Sequence, residues 1–176
     1  MDVRTARLRL RDLRPDDLPA MTELWIDPDV GRFMGDFGPR RAEDVERWLL
    51  ATIAGERGPD RRSHNCAIVV HGSDDVAGWI GVGPSSRPIG DYDFGYAVRS
   101  GFRGRGYASE ALAGVLRFCF DFAGVGSVWG ECDGANLASA RVMRRAGLDP
   151  IEPSPDGDLR FRAVADRWPE RAEAGR

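Results

Sequence analysis

The run Arg103-Gly104-Arg105-Gly106-Tyr107-Ala108 joins a strand-like stretch to the strongest helical pattern in the chain. A turn of this kind exposes several backbone N–H groups that lack intrahelical acceptors, at the positive end of the helix dipole. Gly104 and Gly106 remove side chains that would hold an anion away from the backbone. Arg103 and Arg105 add positive charge, and together these features suit a diphosphate. Two glycines between a strand and a helix also serve as a plain tight turn. The flanking arginines, the small Ala108 and the helix behind it favour the anion site.

The residue inventory restricts the alternatives. All 25 basic residues are arginine. Without lysine the chain can form neither a Walker-A loop nor a Schiff base, so a pyridoxal-phosphate site is excluded as well. Cys66, Cys119 and Cys132 lie far apart and are odd in number, which fits buried thiols in a reducing compartment better than disulfides. His64 and His71 are the remaining soft ligands, and no pair has zinc-site spacing, so no metal is expected. A net charge of −3 over 176 residues offers no basic surface for nucleic acid. The first ten residues are charged, unlike a signal peptide, and no apolar run approaches the roughly 20 residues that cross a bilayer. A soluble, cytoplasmic protein with no membrane partner is the expectation.

A dinucleotide-binding fold competes for the same turn. Gly104-Arg105-Gly106-Tyr107-Ala108-Ser109 approaches GxGxxG, and Glu131 or Asp133 could serve as the ribose acid. Ser109 replaces the third glycine, however, and that fingerprint normally opens its domain. Too little chain follows Cys132 to complete a doubly wound sheet.

The elements that must position the turn can be read from periodicity. Residues 7–12 form a strand with Leu8 and Leu10, and a helix starts near Asp17 with Leu18, Met21, Leu24 and Trp25 on one face. A short helical piece at 30–34 and a loop at 35–39 precede a longer helix. That helix carries Ala42, Val45, Trp48, Leu49 and Ile53, and is closed by Gly55 and Gly58-Pro59. Strands 66–70 and 76–83 form a hairpin about the turn 72–75. Strand 93–98 follows a flexible connection, 84–90. It puts Phe94, Tyr96 and Val98 on one face and the smaller Asp93, Gly95 and Ala97 on the other, leaving room for a ligand. After the glycine turn come a helix through Phe122, a strand at 128–132, a helix at 136–146 and a last strand at 159–164. Residues 1–165 form a single mixed α/β domain, and 166–176 a polar, frayed tail.

The turn carries a resemblance as well. Arg103-x-x-Gly106-x-Ala108 resembles the (Gln/Arg)-x-x-Gly-x-(Gly/Ala) signature of the GNAT acetyltransferase superfamily. Asp93-Phe94-Gly95-Tyr96, followed by Phe102 through Leu112, resembles its RimJ/RimL-like branch of ribosomal-protein N-terminal acetyltransferases. So do Thr5-Ala6-Arg7-Leu8-Arg9-Leu10-Arg11 with Asp17, and Asn136-x-x-Ser139 with Gly147-Leu148. The similarity spans roughly residues 4–165.

The resemblance implies an α/β (α+β) fold with a central mixed, mostly antiparallel twisted sheet flanked by helices and splayed between its fourth and fifth strands, 93–98 and 128–132. It implies acetyl-CoA as co-substrate, no metal, and direct attack on the thioester by a primary amine, either a protein N-terminus or a small molecule. The cofactor-binding residues would be Tyr96, Ala97 and Val98 along the pantetheine arm and Arg103, Gly104, Arg105, Gly106, Tyr107 and Ala108 at the diphosphate. Asn136 would contact the arm and Ser139 the sulfur, although Asn136 is also a good helix N-cap. A backbone N–H of the 96–98 stretch would meet the developing oxyanion. Asp93, directly or through a water, is the candidate base, with Glu131 second. Met143 stands where many relatives carry a tyrosine acid, so protonation of the thiolate falls to Ser139, to water or to nothing. Phe33 and Met34, near Trp25 and Trp48, could line the acceptor side, although apolar residues at helical spacing are commonly core. Gly81, Gly83 and the 84–90 loop could border its mouth. The alternative to an enzyme is a non-catalytic acyl-CoA-binding or sensor module, and a homodimer is left open.

Overall fold

Leu8 and Leu10 alternate with arginines, and that period of two is the beginning of the sheet. The computed structural model describes residues 1–34, 37–39, 41–58 and 61–168. Positions 35 and 36 of the expected loop, Pro59 and the tail from 169 to 176 lie outside the described residues. In chain order the elements are β1 (Asp2–Arg4), β2 (Leu8–Asp12), α1 (Leu18–Trp25), α2 (Pro28–Phe33), α3 (Ala42–Gly55), β3 (His64–Val70), β4 (Val76–Pro84) and β5 (Tyr92–Val98). They continue with α4 (Tyr107–Asp121), β6 (Ser127–Cys132), α5 (Leu137–Arg145), β7 (Asp149–Ile151) and β8 (Leu159–Val164).

Local chemistry explains the boundaries. The short helical piece starts at Pro28, earlier than its apolar residues suggest, because Pro28 is preset for a first helical position and the Asp27 carboxylate accepts the Asp29 N–H at 2.9 Å. Asp17 closes a 3-10 turn ahead of α1. Although only 3% exposed, it receives a two-pronged bond from Arg11 at 2.8 and 2.7 Å and the Arg14 N–H at 2.8 Å. That set satisfies a buried carboxylate and ties α1 to β2.

The eight strands form one sheet in the order β1-β2-β3-β4-β5-β6-β8-β7. Every neighbouring pair is antiparallel except β5 and β6, which are parallel. One core lies under α4 and α5, with Leu8, Leu10, Ile68, Ile80, Leu112 and Phe161. The other lies under α1 and α3, with Met21, Leu24, Trp25, Leu49, Val69 and Trp79. Cys66 and Ile68 face the first core while Ala67 and Val69 face the second, so the continuous apolar run of β3 is what a strand covered on both faces requires.

Three expectations change. Strands β1 and β7 are only three residues each, too short to carry a periodic signal. The tail does not begin at Asp166, because Trp168 is buried against Phe120, 5.4 Å between ring centroids, and near Gly147. Its large apolar area outweighs the polar residues beside it.

His64 supplies a pH-dependent term. Burial and the positive charge of Arg61 push its imidazole down to about 4 from 6.5, and its ring meets Phe118 edge-on at 5.0 Å. The unfolded chain therefore binds the proton more readily than the folded one, and stability falls as pH drops from 6.5 toward 4. Chemical denaturation across that range is expected to show the loss in the wild type and a flatter profile in His64→Gln.

Candidate active site

Gly104 and Gly106 both lie in the left-handed region, at φ +75° and +80°, where a side chain costs roughly 1–2 kcal/mol. The space above Gly104 is open, since a Cβ there would meet nothing within 4 Å. Gly106 is the N-cap of α4 and provides no side-chain cap. The first helical bond runs from the Glu110 N–H to the Gly106 carbonyl at 3.1 Å, so the N–H groups of Tyr107, Ala108 and Ser109 have no helical acceptor.

Both arginines also have partners within the protein. Arg103 donates to the Val98 carbonyl at 3.0 Å and pairs with Asp27 at 2.7 Å and Asp29 at 2.9 Å. Arg105 donates to the Gly101 carbonyl at 2.9 Å, lies 5.5 Å from the Phe102 ring centroid, and is absent from the cleft lining. Arg103 still lines the cleft beside Gly104 and Gly106, and the turn amides and the helix dipole favour an anion at the same place. What fixes the turn is Arg7, which bonds the Arg105 carbonyl at 2.9 Å and Glu110 at 2.7 Å. Glu110 also accepts the Thr5 hydroxyl at 2.6 Å and the Arg7 N–H at 2.7 Å. Burial works to raise the Glu110 carboxyl, but those partners outweigh it and hold the group below its usual range.

The turn opens into a cleft of about 960 Å³ that enters the sheet between β5 and β6. The pairing of these strands comprises Tyr92 with Val128 and Asp93 with Trp129, and then stops. The ring of Phe94 lies against the bare Cα of Gly130, where a Cβ would overlap it. From Phe94 to Val98, β5 therefore turns an unpaired edge to the cleft. That edge includes Tyr96, Ala97 and Val98, the stretch assigned to the pantetheine arm. The small-residue face of β5 is less open than its sequence suggests, because a Cβ on Gly95 would sit 3.2 Å from the Trp79 ring and 3.9 Å from Met34.

Asp93 lines the cleft on that face. Burial raises its carboxyl above the usual range, opposed by a Ser85 hydrogen bond and the charge of Arg87 and assisted by Glu131. Glu131 is held by Arg87 at 2.6 Å and Arg160 at 3.1 Å. On the opposite wall Asn136 caps α5, its side-chain oxygen accepting the Ser139 N–H at 3.0 Å. The Ser139 hydroxyl lies 2.7 Å from the Tyr96 phenol oxygen, and Tyr96 also donates to the Ser139 carbonyl at 3.3 Å. Burial pushes the Tyr96 phenol far up, so it stays protonated, and either hydroxyl can donate in the 2.7 Å contact. Cys132 lines the same wall, its thiol raised by burial, and Met143 is buried beside it.

Phe33 and Met34 line the other end of the cleft, joined by Phe37, Trp79, Gly81, Gly83 and Pro84. Trp25 and Trp48 pack edge-on at 5.1 Å and do not reach the cleft. Among the described residues no group of three or more His, Cys, Asp or Glu could hold a metal, and no helix is long and apolar enough to cross a membrane.

Sequence reasoning missed the Arg7–Glu110 clamp, the Tyr96–Ser139 pair and the Phe94–Gly130 contact. The first joins residues 103 positions apart, and nothing in either segment announces the other. Tyr96 was already on the helix-facing side of its strand by alternation, which was the available clue.

A sheet opened between two parallel strands, with a bare-amide turn leading into the gap, defines an acyltransferase-type scaffold that grips a diphosphate-bearing donor. Residues 7–149 match the family model described as acetyltransferase (GNAT) domain, and the chain belongs to that family of acetyl-CoA-dependent N-acetyltransferases. It is similar to the FsC-acetyl coenzyme A-N(2)-transacetylase of Aspergillus fumigatus, at 27% identity over 93% of this chain and 76% of that protein. In fold it is similar to Mycobacterium smegmatis RimJ in complex with CoA-disulfide, with a TM-score of 0.80 and 20% identity over 99% of this chain and 91% of that one. A second similar fold is RimL, a ribosomal L7/L12 alpha-N-protein acetyltransferase in complex with coenzyme A, with a TM-score of 0.75 and 17% identity over 94% and 99% of the two chains.

Gly104→Asp tests the turn, since aspartate tolerates the left-handed conformation better than most residues and would place a carboxylate over the amides. Calorimetry is expected to give at least a roughly tenfold weaker Kd for CoA, with Gly104→Asn affected less and both variants folded.

Proposed function

We propose that the protein transfers the acetyl group of acetyl-CoA to a primary amine within the cleft between β5 and β6. The observation that carries this reading is the continuity of one cleft from the bare amides at Gly104–Ala108, past Ser139, to Asp93. The residues present fit the donor: open space over Gly104 leaves the amides accessible to a diphosphate, and the unpaired edge of β5 can meet the arm as an added strand. The CoA-containing structures of similar fold support the same use of the site. The enzyme acts in the cytoplasm, where its three free cysteines suit a reducing environment.

Acetyl-CoA supplies an activated acyl carbon and a thiolate leaving group. Asp93 receives the proton of the attacking ammonium, directly or through one water. Its raised carboxyl brings it closer to the pH at which a base works efficiently. Glu131 is less suited to this task, because two arginines already occupy it. Tyr96 holds Ser139 through the 2.7 Å hydroxyl contact and the bond to its carbonyl; with the phenol as donor to the hydroxyl, the Ser139 proton can turn into the gap toward the departing sulfur. Asn136 fixes the backbone from which Ser139 projects.

Asp93→Asn is expected to lower kcat by about a hundredfold or more while leaving the Kd for CoA within twofold. In the wild type the rate rises with pH as Asp93 ionises, so the acid limb of the kcat profile belongs to this group and disappears in the variant. An unchanged acid limb would remove Asp93 from the role of base.

Tyr96→Phe is expected to reduce kcat by roughly tenfold with CoA affinity retained. Because it acts through Ser139, the Tyr96→Phe/Ser139→Ala double variant should be no slower than Ser139→Ala alone. Additive losses would show that the two residues act separately.

A further inference from the structure

The acceptor end of the cleft combines an apolar wall with very little free negative charge. The carboxylates lining the whole cleft, among the described residues, are Asp29, Asp93 and Glu131. Asp29 is paired with Arg103, and Glu131 with both Arg87 and Arg160, while Asp93 enters no ion pair among the described residues. A second and third ammonium group on an acceptor would thus meet occupied carboxylates and arginines rather than unpaired anions, and like charges held together in a cleft are costly.

Rings cover part of the Asp93 face of β5. Phe37 stacks on Trp79, 5.2 Å between centroids and 28° between planes, and the Trp79 ring crosses the Gly95 position on the Asp93 face of β5. Phe33 and Phe37 both line the cleft, yet stay 37% and 48% exposed. Apolar rings left open beside an ionisable group are a means of holding an amphipathic molecule: its body on the rings, its charged end at the carboxylate.

We propose that the acceptor is a primary amine bearing a single positive charge on an apolar, ring-containing body, with the body against Phe33 and Phe37 and the amine at Asp93. This proposal rests on the N-acetyltransferase reading of the cleft. The charge balance favours it over a polyamine or an aminoglycoside, and the rings favour it over a short aliphatic amine.

The test is a panel of 2-phenylethylamine, n-propylamine, spermidine and kanamycin, assayed for CoA release and for acetylated product. Calorimetric binding to the CoA-saturated protein, where no acetyl group is present, gives a readout independent of turnover. 2-Phenylethylamine is expected to exceed each of the others in kcat/KM by about tenfold and to bind correspondingly tighter. Phe33→Ala is expected to raise its KM by about fivefold without changing the KM for acetyl-CoA. Phe37→Leu, which keeps an apolar side chain over Trp79, is expected to act in the same direction. A preference for spermidine or kanamycin, or equal use of propylamine and phenylethylamine, would overturn the proposal while leaving the transfer activity intact. If the protein bound CoA but acetylated no amine, the transfer reading itself would fall and the proposal with it.

Discussion

The parting of β5 from β6 is the constraint on which the rest of the molecule depends. Two parallel residue pairs bring the strands together, and the Phe94 ring then occupies the bare surface of Gly130 where the strands diverge. A sheet that stops pairing in its middle leaves backbone donors and acceptors facing a cavity, an expensive arrangement unless water or a ligand satisfies them. The open edge of β5 is thus both a cost to the fold and the means of binding. It also lets one cleft reach both faces of the sheet, so that Ser139 on the α5 side and Asp93 on the α1–α3 side border the same space.

The glycine turn works with that opening because its charges are arranged indirectly. Arg103 locks the turn to α2 through Asp27 and Asp29, and α2 carries Phe33 at its end. Arg7 locks the other side to the first turn of α4 through Glu110. The turn is thereby held in place with open space over Gly104, which is the preorganisation that electrostatic recognition requires. The same Arg103 bridge joins the donor turn to the helix that carries Phe33.

Much of this was legible in the sequence, for identifiable reasons. The helices at α1, α3 and α4 carry apolar stripes, α5 lies between Asn136 and Gly147, and the β3–β4 hairpin has a strong turn at 72–75 between apolar runs, so their types and approximate limits follow from pattern and capping. The family follows from Arg103-x-x-Gly106-x-Ala108 and Asn136-x-x-Ser139. Residue roles that depend on distant partners do not follow. The acidic partners of Arg103 lie 74 and 76 positions away, and its glycine neighbours give no sign of them. Met143 showed that a tyrosine was missing from α5, but nothing local indicated that a phenol from β5 would stand 2.7 Å from Ser139. The Gly95 face looked vacant because the indole filling it comes from β4.

We propose that the donor's diphosphate rests on backbone amides of the turn while its arm follows the free edge of β5. A crystal structure of the protein with CoA tests this most directly. Diphosphate oxygens are expected within about 3.2 Å of N–H groups between Gly104 and Ala108, with the pantetheine lying between β5 and β6. A diphosphate held elsewhere, or an arm lying outside the gap with the β5 edge left bare, would contradict it.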